Sequence, residues 1–476
     1  MAATLAHLLL LSAVPLATAE TVLGAYIFHR HGDRTTKSYK PTVLTSLGAE
    51  QVYTSGQYYR DQYISSNASA KINGVSSDLA VLSQLQVTAP TDDVLQNSAQ
   101  VFLQGLYPPT TMATQTLANG TKVNAPLGGY QYIPVNAVST AASSSNSEDS
   151  EWLQAGSGCG NAVVSSNNYF LSEEYVSALD STKGFYSSLL PVINSTFSAD
   201  KATFKNAYTI YDYVHVSQIH NASIPASSLL TTETVHQMQT LADKHEFGLA
   251  YNASEPVRAI AGSTLAGQVL TFLNSTALST PSTPKLEIQF GAYATFLSFF
   301  GLASLPKVSE NFTGIVDYAS SIAFELVTNS TSAKPSASEL SVRFRFANGT
   351  ASEANPAQEY PLFGQDQTLL GWADFVKGMQ QFAIADTASW CKICGNSTGV
   401  CADALGGSDS SGSDPVATAG HSGGMSRAVA GVIGALVTLA VILGLEALVM
   451  GLGGLRLVKK AALRRNAVEE VSQTKA

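Results

Sequence analysis

The chain has 476 residues, 45% hydrophobic and only 13% charged, enough apolar material to bury one large core or two ordinary ones and to argue against general disorder. The formal net charge is −9; the stretch after Leu455 holds six Lys or Arg against two Glu, a formal +4, which leaves −13 on the remainder. That balance disfavours nucleic acid as a partner of the main body.

In chain order, residues 4 to 16 form an apolar run closed by Ala17, Thr18 and Ala19, which predicts a secretory signal peptide over 1–19, cleaved before Glu20. An ectodomain over 20–402 follows. Its opening "TVLGAYIF", residues 21 to 28, is β-branched and aromatic and reads as a buried strand running into the loop "HRHGDR". Leu47, Val52, Tyr58, Tyr59 and Tyr63 then recur at helical spacings. In "DDVLQNSAQVFLQGLYPP", residues 92 to 109, Val94, Leu95, Ala99, Phe102, Leu103 and Leu106 share one helical face, with acids at its start and prolines past its end.

Residues 131 to 168 are rich in Ser, Asn and Gly and read as a long surface excursion tied down through Cys159. Helical patterns return at 171 to 190, 225 to 247 and 256 to 274. "KLEIQFGAYATFLSFFGL" reads as strand, turn near Gly291 and apolar helix, and "SELSVRFRFANG" alternates as a late hairpin or edge strand. Strands interleaved with helices predict an α/β fold with a helical insertion.

A Ser/Gly-rich linker over 403–427 leads to 428–452, an apolar run charged only at Glu446 and long enough for a bilayer core that needs about 20 residues. The basic tail over 453–476 fits the cytoplasmic side of such a span. The expected arrangement is a single-pass, type I membrane protein with one C-terminal transmembrane helix and an extracellular or lumenal ectodomain. Ten Asn-x-Ser/Thr sequons, at Asn67, Asn119, Asn194, Asn221, Asn252, Asn274, Asn311, Asn329, Asn348 and Asn396, all lie within that ectodomain and mark candidate glycosylation sites. Cys159, Cys391, Cys394 and Cys401 predict two disulfides, and the sequence leaves all three pairings open.

The chemistry concentrates in "HRHGDR". In an open α/β sheet, ligands sit beyond the carboxyl ends of the strands, where this loop falls. Arg30 and Arg34 can fork onto an oxyanion, Gly32 lets the backbone approach, and the following helix N-terminus adds donors. His31 adds a group that an anion pocket does not need, an imidazole able to attack a phosphoryl group and carry it covalently. His29 suits a supporting position behind it. His215 and His220 show no ligand spacing, and His7 leaves with the signal.

These residues carry a resemblance. The "RHGDRT" of Arg30 to Thr35, with "LTSLGAEQVYTSGQYYRDQY" and "SAQVFLQGLYPP", resembles the histidine acid phosphatase family, the second branch of the phosphoglycerate-mutase-like histidine phosphatases, over roughly residues 21 to 302 and more weakly to about Cys401. The resemblance implies a phosphoglycerate-mutase-like central sheet flanked by helices. It also implies His31 as nucleophile, Arg30 and Arg34 as phosphate ligands, and a reaction without metal or other cofactor. The partner it implies is a small phosphomonoester or other anionic ligand; the oligomeric state is left open.

Two departures stand against it. Thr88 holds the place of a further phosphate-binding arginine, and Ala292 and Tyr293 stand where the family has a histidine and a proton-donating aspartate. Asp33, Glu287, His245 with Glu246, and Tyr293 are the available substitutes, although His245 and Glu246 read as surface residues of a helix. Two functions are therefore expected to compete: a membrane-anchored, secretory-pathway phosphomonoesterase, or a catalytically weakened relative that binds an anionic ligand at the cell surface.

Overall fold

The computed structural model describes residues 20–138, 158–220, 224–278 and 284–406. Strand β1, Thr21–Arg30, runs through the middle of the main sheet and is buried over most of its length. Its alternation serves two cores: Tyr26 and Phe28 face one side of the sheet, Ala25 and Ile27 the other. The other strands of this sheet are β2 (Leu85–Pro90), β3 (Asn136–Val138), β4 (Leu286–Gly291), β5 (Ser321–Thr328), β6 (Leu340–Ala347), β7 (Gln358–Glu359) and β8 (Leu369–Gly371). Their order is β8-β6-β5-β1-β4-β2-β3, with β7 paired to β6. The strands β1, β4, β2 and β3 run parallel and end at one edge, while β5 and β6 close the other side antiparallel.

Helices α1 (Ser46–Tyr63) and α2 (Asp93–Leu106) cover one face, burying Val52, Tyr59 and Phe102 with Ile27. The insertion between β3 and β4 supplies α3 (Ala207–Ile219), α4 (Thr232–Ala250) and α5 (Ile260–Ala277). On the second face Leu265, Val269 and Phe272 of α5 pack in one core with Tyr26 and Phe28. Helix α6, Tyr293–Leu302, continues from β4 and sets Phe296 against Phe28 at 5.0 Å between ring centroids.

The α/β fold with its helical insertion is as the sequence predicts. The excursion after residue 131 contains β3, a three-residue strand in which Asn136 pairs with Thr88, so this part of the chain belongs to the sheet. The pattern expected at 171 to 190 is broken into the short helices Glu173–Ser181, Lys183–Ser188 and Leu190–Ile193. Cys159 bonds Cys394 and Cys391 bonds Cys401, so the two cysteines of "CKIC" each hold a different partner. Helix Val400–Gly406 carries Cys401 and runs into the stretch read as linker.

The single-pass arrangement is corrected by the structure: no helix among the described residues is long and apolar enough to cross a membrane. The helices of sufficient length are interrupted by polar groups, with Arg60 and Asp61 in α1, Asp243, Lys244 and Glu246 in α4, and Gln268 and Asn274 in α5. Residues 1–19, 428–452 and the tail after them lie outside the described residues. The membrane anchor, the membrane as partner and the type I topology thus have no support among the described residues. Asn67, Asn119, Asn194, Asn274, Asn311, Asn329 and Asn348 are exposed and Asn252 and Asn396 half-buried, whereas Asn221 lies outside the described residues.

Candidate active site

Arg30 lies opposite Gly291 in the β1–β4 ladder, so His31 and Ala292 leave two adjacent strand ends together. The loop from His31 to Lys37 is then pressed against the start of α1. A Cβ on Gly32 would lie 2.2 Å from the carbonyl oxygen of Gly48, and one on Gly48 would lie 2.0 Å from that of Asp33, so only glycine fits at either place. Thr45 caps α1 by accepting from the Gly48 amide at 3.0 Å, and its hydroxyl donates to the Asp33 carboxylate. Asp33 is fully buried, and one of its oxygens also meets His220 Nε2 at 2.7 Å. Ser98 of α2 accepts from the Gly32 amide, so both helices on this face fix the loop.

His31 is buried, and its Nδ1 lies 2.8 Å from the Gly32 carbonyl oxygen. A carbonyl only accepts, so Nδ1 carries the proton and Nε2 presents its lone pair. Burial holds the imidazole well below its usual range, reinforced by the positive charges of Arg30, Arg34 and Lys37. The result is a neutral imidazole inside a basic pocket.

The two arginines differ in what they bind. Arg34 is paired with Asp212 at 2.8 Å, both side chains 2% exposed, and donates to Tyr208 Oη at 3.1 Å. Burial alone would lower its pKa, but Tyr208, Tyr318 and Asp212 outweigh that and raise it. Arg30 is 4% exposed, donates to the Val316 carbonyl and lies under the Tyr318 ring at 4.6 Å. Among the described residues it has no carboxylate partner. The Nε groups of both arginines are buried without a hydrogen-bond partner.

The far wall comes from α3, which sequence reasoning left without a role. Tyr208, Tyr211, Asp212 and His215 recur at i, i+3, i+4 and i+7, one helical face turned to the loop. Asp212 accepts from the Thr36 hydroxyl and the Lys37 amide, both at 2.8 Å, besides pairing with Arg34. His215 stacks on Tyr211 at 5.2 Å and on Tyr318 at 6.4 Å, and Tyr318 in turn lies against His31 at 5.7 Å. A polar and aromatic stripe at helical spacing was the signal available, masked by apolar neighbours that are equally buried.

Of the departures, Ala292 and Tyr293 fall at this site, whereas Thr88 lines a separate cavity. Thr88 pairs with Gln289, two positions before the end of β4, and its side chain lines a cavity of about 370 Å³ with Glu287 and Gln289. Ala292 caps α6 without a side-chain bond. Tyr293 is buried, with its ring centroid 5.4 Å from the Arg30 guanidinium and 4.8 Å from the Tyr208 ring, and it donates to Glu246 Oε2 at 2.6 Å. His245 and Glu246 are not surface residues: His245 is 5% exposed among Tyr169, Phe170, Tyr175 and Phe204, and Glu246 is half-buried where it meets Tyr293 of α6. His29 is fully buried beneath the loop between Phe102 and Phe290, and burial lowers its pKa to about 4.

Burial pushes the Glu287 carboxyl up to about 8 from its usual 4.5. An unfolded chain ionises this group first, so its contribution to stability is full below the unfolded value and is lost as pH rises through about 8. Glu287→Gln is expected to flatten the fall in urea midpoint over that window; a slope unchanged in the variant contradicts the assignment.

A separate cavity of about 1050 Å³ opens beside the site, lined by Asp243, Lys244, Arg258, Glu310, Ile315 and Val316 among others. It meets the site through Val316, whose carbonyl holds Arg30. Among the described residues no group of three His, Cys, Asp or Glu side chains is arranged to hold a metal ion.

The family model of the histidine phosphatase superfamily (branch 2) matches residues 37–346, beginning at the last residue of the loop that holds His31. A lysosomal acid phosphatase from Xenopus laevis is 26% identical over 310 residues, 62% of this chain and 64% of that protein, so the chain spans less than two thirds of that relative's length. Among solved structures, the phytase from Citrobacter braakii is 15% identical with a TM-score of 0.53, covering 79% of this chain and 99% of that one. A Klebsiella sp. ASR1 phytase is 11% identical with a TM-score of 0.52, covering 78% and 99%. At these identities the two structures share the fold alone.

Proposed function

Because the chain belongs to the histidine phosphatase superfamily, branch 2, we propose that it hydrolyses phosphomonoesters through a phosphohistidine on His31. The observation that carries this reading is Arg30, a buried guanidinium with no carboxylate partner among the described residues, next in sequence to a neutral imidazole. An unpaired buried cation is costly, and an incoming phosphate dianion would compensate it. His31 Nε2 attacks phosphorus, the bond to the leaving oxygen breaks, and water then releases phosphate and restores the imidazole. Arg30 and Arg34, through their unpartnered Nε–H groups, stabilise the charge on the equatorial oxygens.

A second reading, a relative that binds an anionic ligand with little turnover, is favoured by one feature. The methyl group of Ala292 offers nothing to a phosphate or a leaving group. General acid catalysis typically contributes ~10² to 10⁴ in rate, so its loss would be severe for poor leaving groups and mild for activated ones. The experiment is release of inorganic phosphate from an aryl phosphate by the full chain across acidic to neutral pH. Saturable turnover supports the enzyme; saturable binding of phosphate with background release supports the second reading.

A further inference from the structure

We propose that Tyr318 is a positioning residue of this site: its ring, in place of a carboxylate, holds the Arg30 guanidinium ready for phosphate. This rests on the phosphatase reading above and names what orients the cation on which that reading depends.

A buried guanidinium is ordinarily held by an acid, as Asp212 holds Arg34. Arg30 is held otherwise. Its one side-chain hydrogen bond among the described residues goes to the Val316 carbonyl. Aromatic rings stand where an acid would, with the guanidinium carbon 4.6 Å from the Tyr318 centroid and 5.4 Å from that of Tyr293. Tyr318 is the nearer, and its ring also lies 5.7 Å from the Arg34 guanidinium and 5.7 Å from the imidazole of His31.

The two kinds of partner have different consequences. A carboxylate engages the in-plane N–H groups and cancels the charge, which leaves little for an incoming anion. A ring meets the guanidinium on its face, so the N–H groups at its edge stay open and the charge remains. Burial pushes the Tyr318 phenol above its usual range, so the ring carries no negative charge to compete with phosphate. Its hydroxyl makes no hydrogen bond among the described residues, which leaves the ring itself as the working part.

The backbone is shaped to put the ring there. Ser320 N donates to Asp317 O at 3.1 Å, closing a turn with Tyr318 and Ala319 at its corners. Ala319 has a φ of 60°, a left-handed conformation that costs an alanine free energy. The turn is tied to the strand end that carries the site, since Ala319 N donates to His31 O at 2.9 Å and Arg30 N donates to Ser320 O at 2.8 Å. Tyr318 is thus set in register with the two residues whose side chains it touches, and His215 of α3 stacks on the same ring at 6.4 Å.

The test is binding of inorganic phosphate to the full chain by titration calorimetry, beside kcat/KM for p-nitrophenyl phosphate. Tyr318→Leu is expected to weaken phosphate binding about tenfold, and Tyr318→Phe, which keeps the ring, to recover most of that loss. Tyr318→Met carries the same expectation as the leucine variant and replaces it should leucine fail to fold. In an Arg30→Gln background, on either measurement, loss of the ring is expected to cost less than about twofold more, because a residue that acts through Arg30 has nothing left to hold. No loss without the ring, an equal loss in Tyr318→Phe, or an undiminished loss in the Arg30→Gln background would overturn the assignment. Phosphate binding that follows the expected pattern without turnover of the ester removes the phosphatase reading and leaves Tyr318 in its role. Turnover that depends on His31 and is indifferent to Tyr318 does the reverse, and a chain that neither binds phosphate nor turns over the ester removes both.

Discussion

His31→Ala is expected to reduce hydrolysis of an activated aryl phosphate to the uncatalysed background while leaving the fold intact. The imidazole is the group whose lone pair the Gly32 carbonyl orients, and removing it takes away the covalent route itself rather than one stabilising contact. An aryl leaving group needs little protonation, so the result is independent of what donates the proton. The pH profile follows from the same environment. Burial, Arg30 and Arg34 hold His31 below the ordinary 6.5, so the nucleophile stays neutral as the solution becomes acidic and activity is expected to persist below that value. The linked cost has the opposite sign. As pH falls through 6.5 an unfolded chain takes up protons that buried His29 and His31 refuse, and stability is lost on the acid side. Rates measured in His31→Ala equal to those of the unmodified chain contradict the assignment of the nucleophile.

Asp212→Ala is expected to be among the most destabilising single changes in this region, by about 3 to 5 kcal/mol, since it strands the buried Arg34 without its counter-ion. It also removes the acceptor of Thr36 and of the Lys37 amide, two of the contacts that tie the loop to α3. Asp212→Asn keeps acceptor capacity at that place and is expected to cost less, which separates the lost charge from the lost geometry. Denaturant midpoints at an unchanged slope measure both. A loss under about 1 kcal/mol in Asp212→Ala would mean that Arg34 finds another partner, and that the loop does not depend on α3.

The parts of this site that could be read from the sequence are those built by local pattern. The strand "TVLGAYIF", the loop behind it and the apolar face of α2 follow from spacing over a few residues, and β1, His31 and α2 stand where that spacing puts them. What could not be read depends on contacts between distant segments. Asn136–Val138 is a strand because β2 offers it an edge, and its own composition resembles a surface loop. Asp212 and Arg34 are 178 residues apart and meet only when α3 lies across the loop. Glu246 lies 47 residues from Tyr293, and a charged residue two positions from Lys244 on a helix looks exposed until α6 packs on α4. The disulfide pairing had no local signal either, since Cys391 and Cys394 lie on one short helix and bond away from each other.

The most direct measurement is the site of phosphorylation during turnover. The full chain is mixed with an aryl phosphate, quenched within a turnover, kept out of acid, digested and read by mass spectrometry. One phosphoryl group on the peptide containing His31, absent from the same peptide after the substrate is exhausted and in His31→Ala, is the predicted result. Turnover with no phosphorylated peptide, or with the phosphoryl group on another residue, would contradict the covalent mechanism proposed for this site.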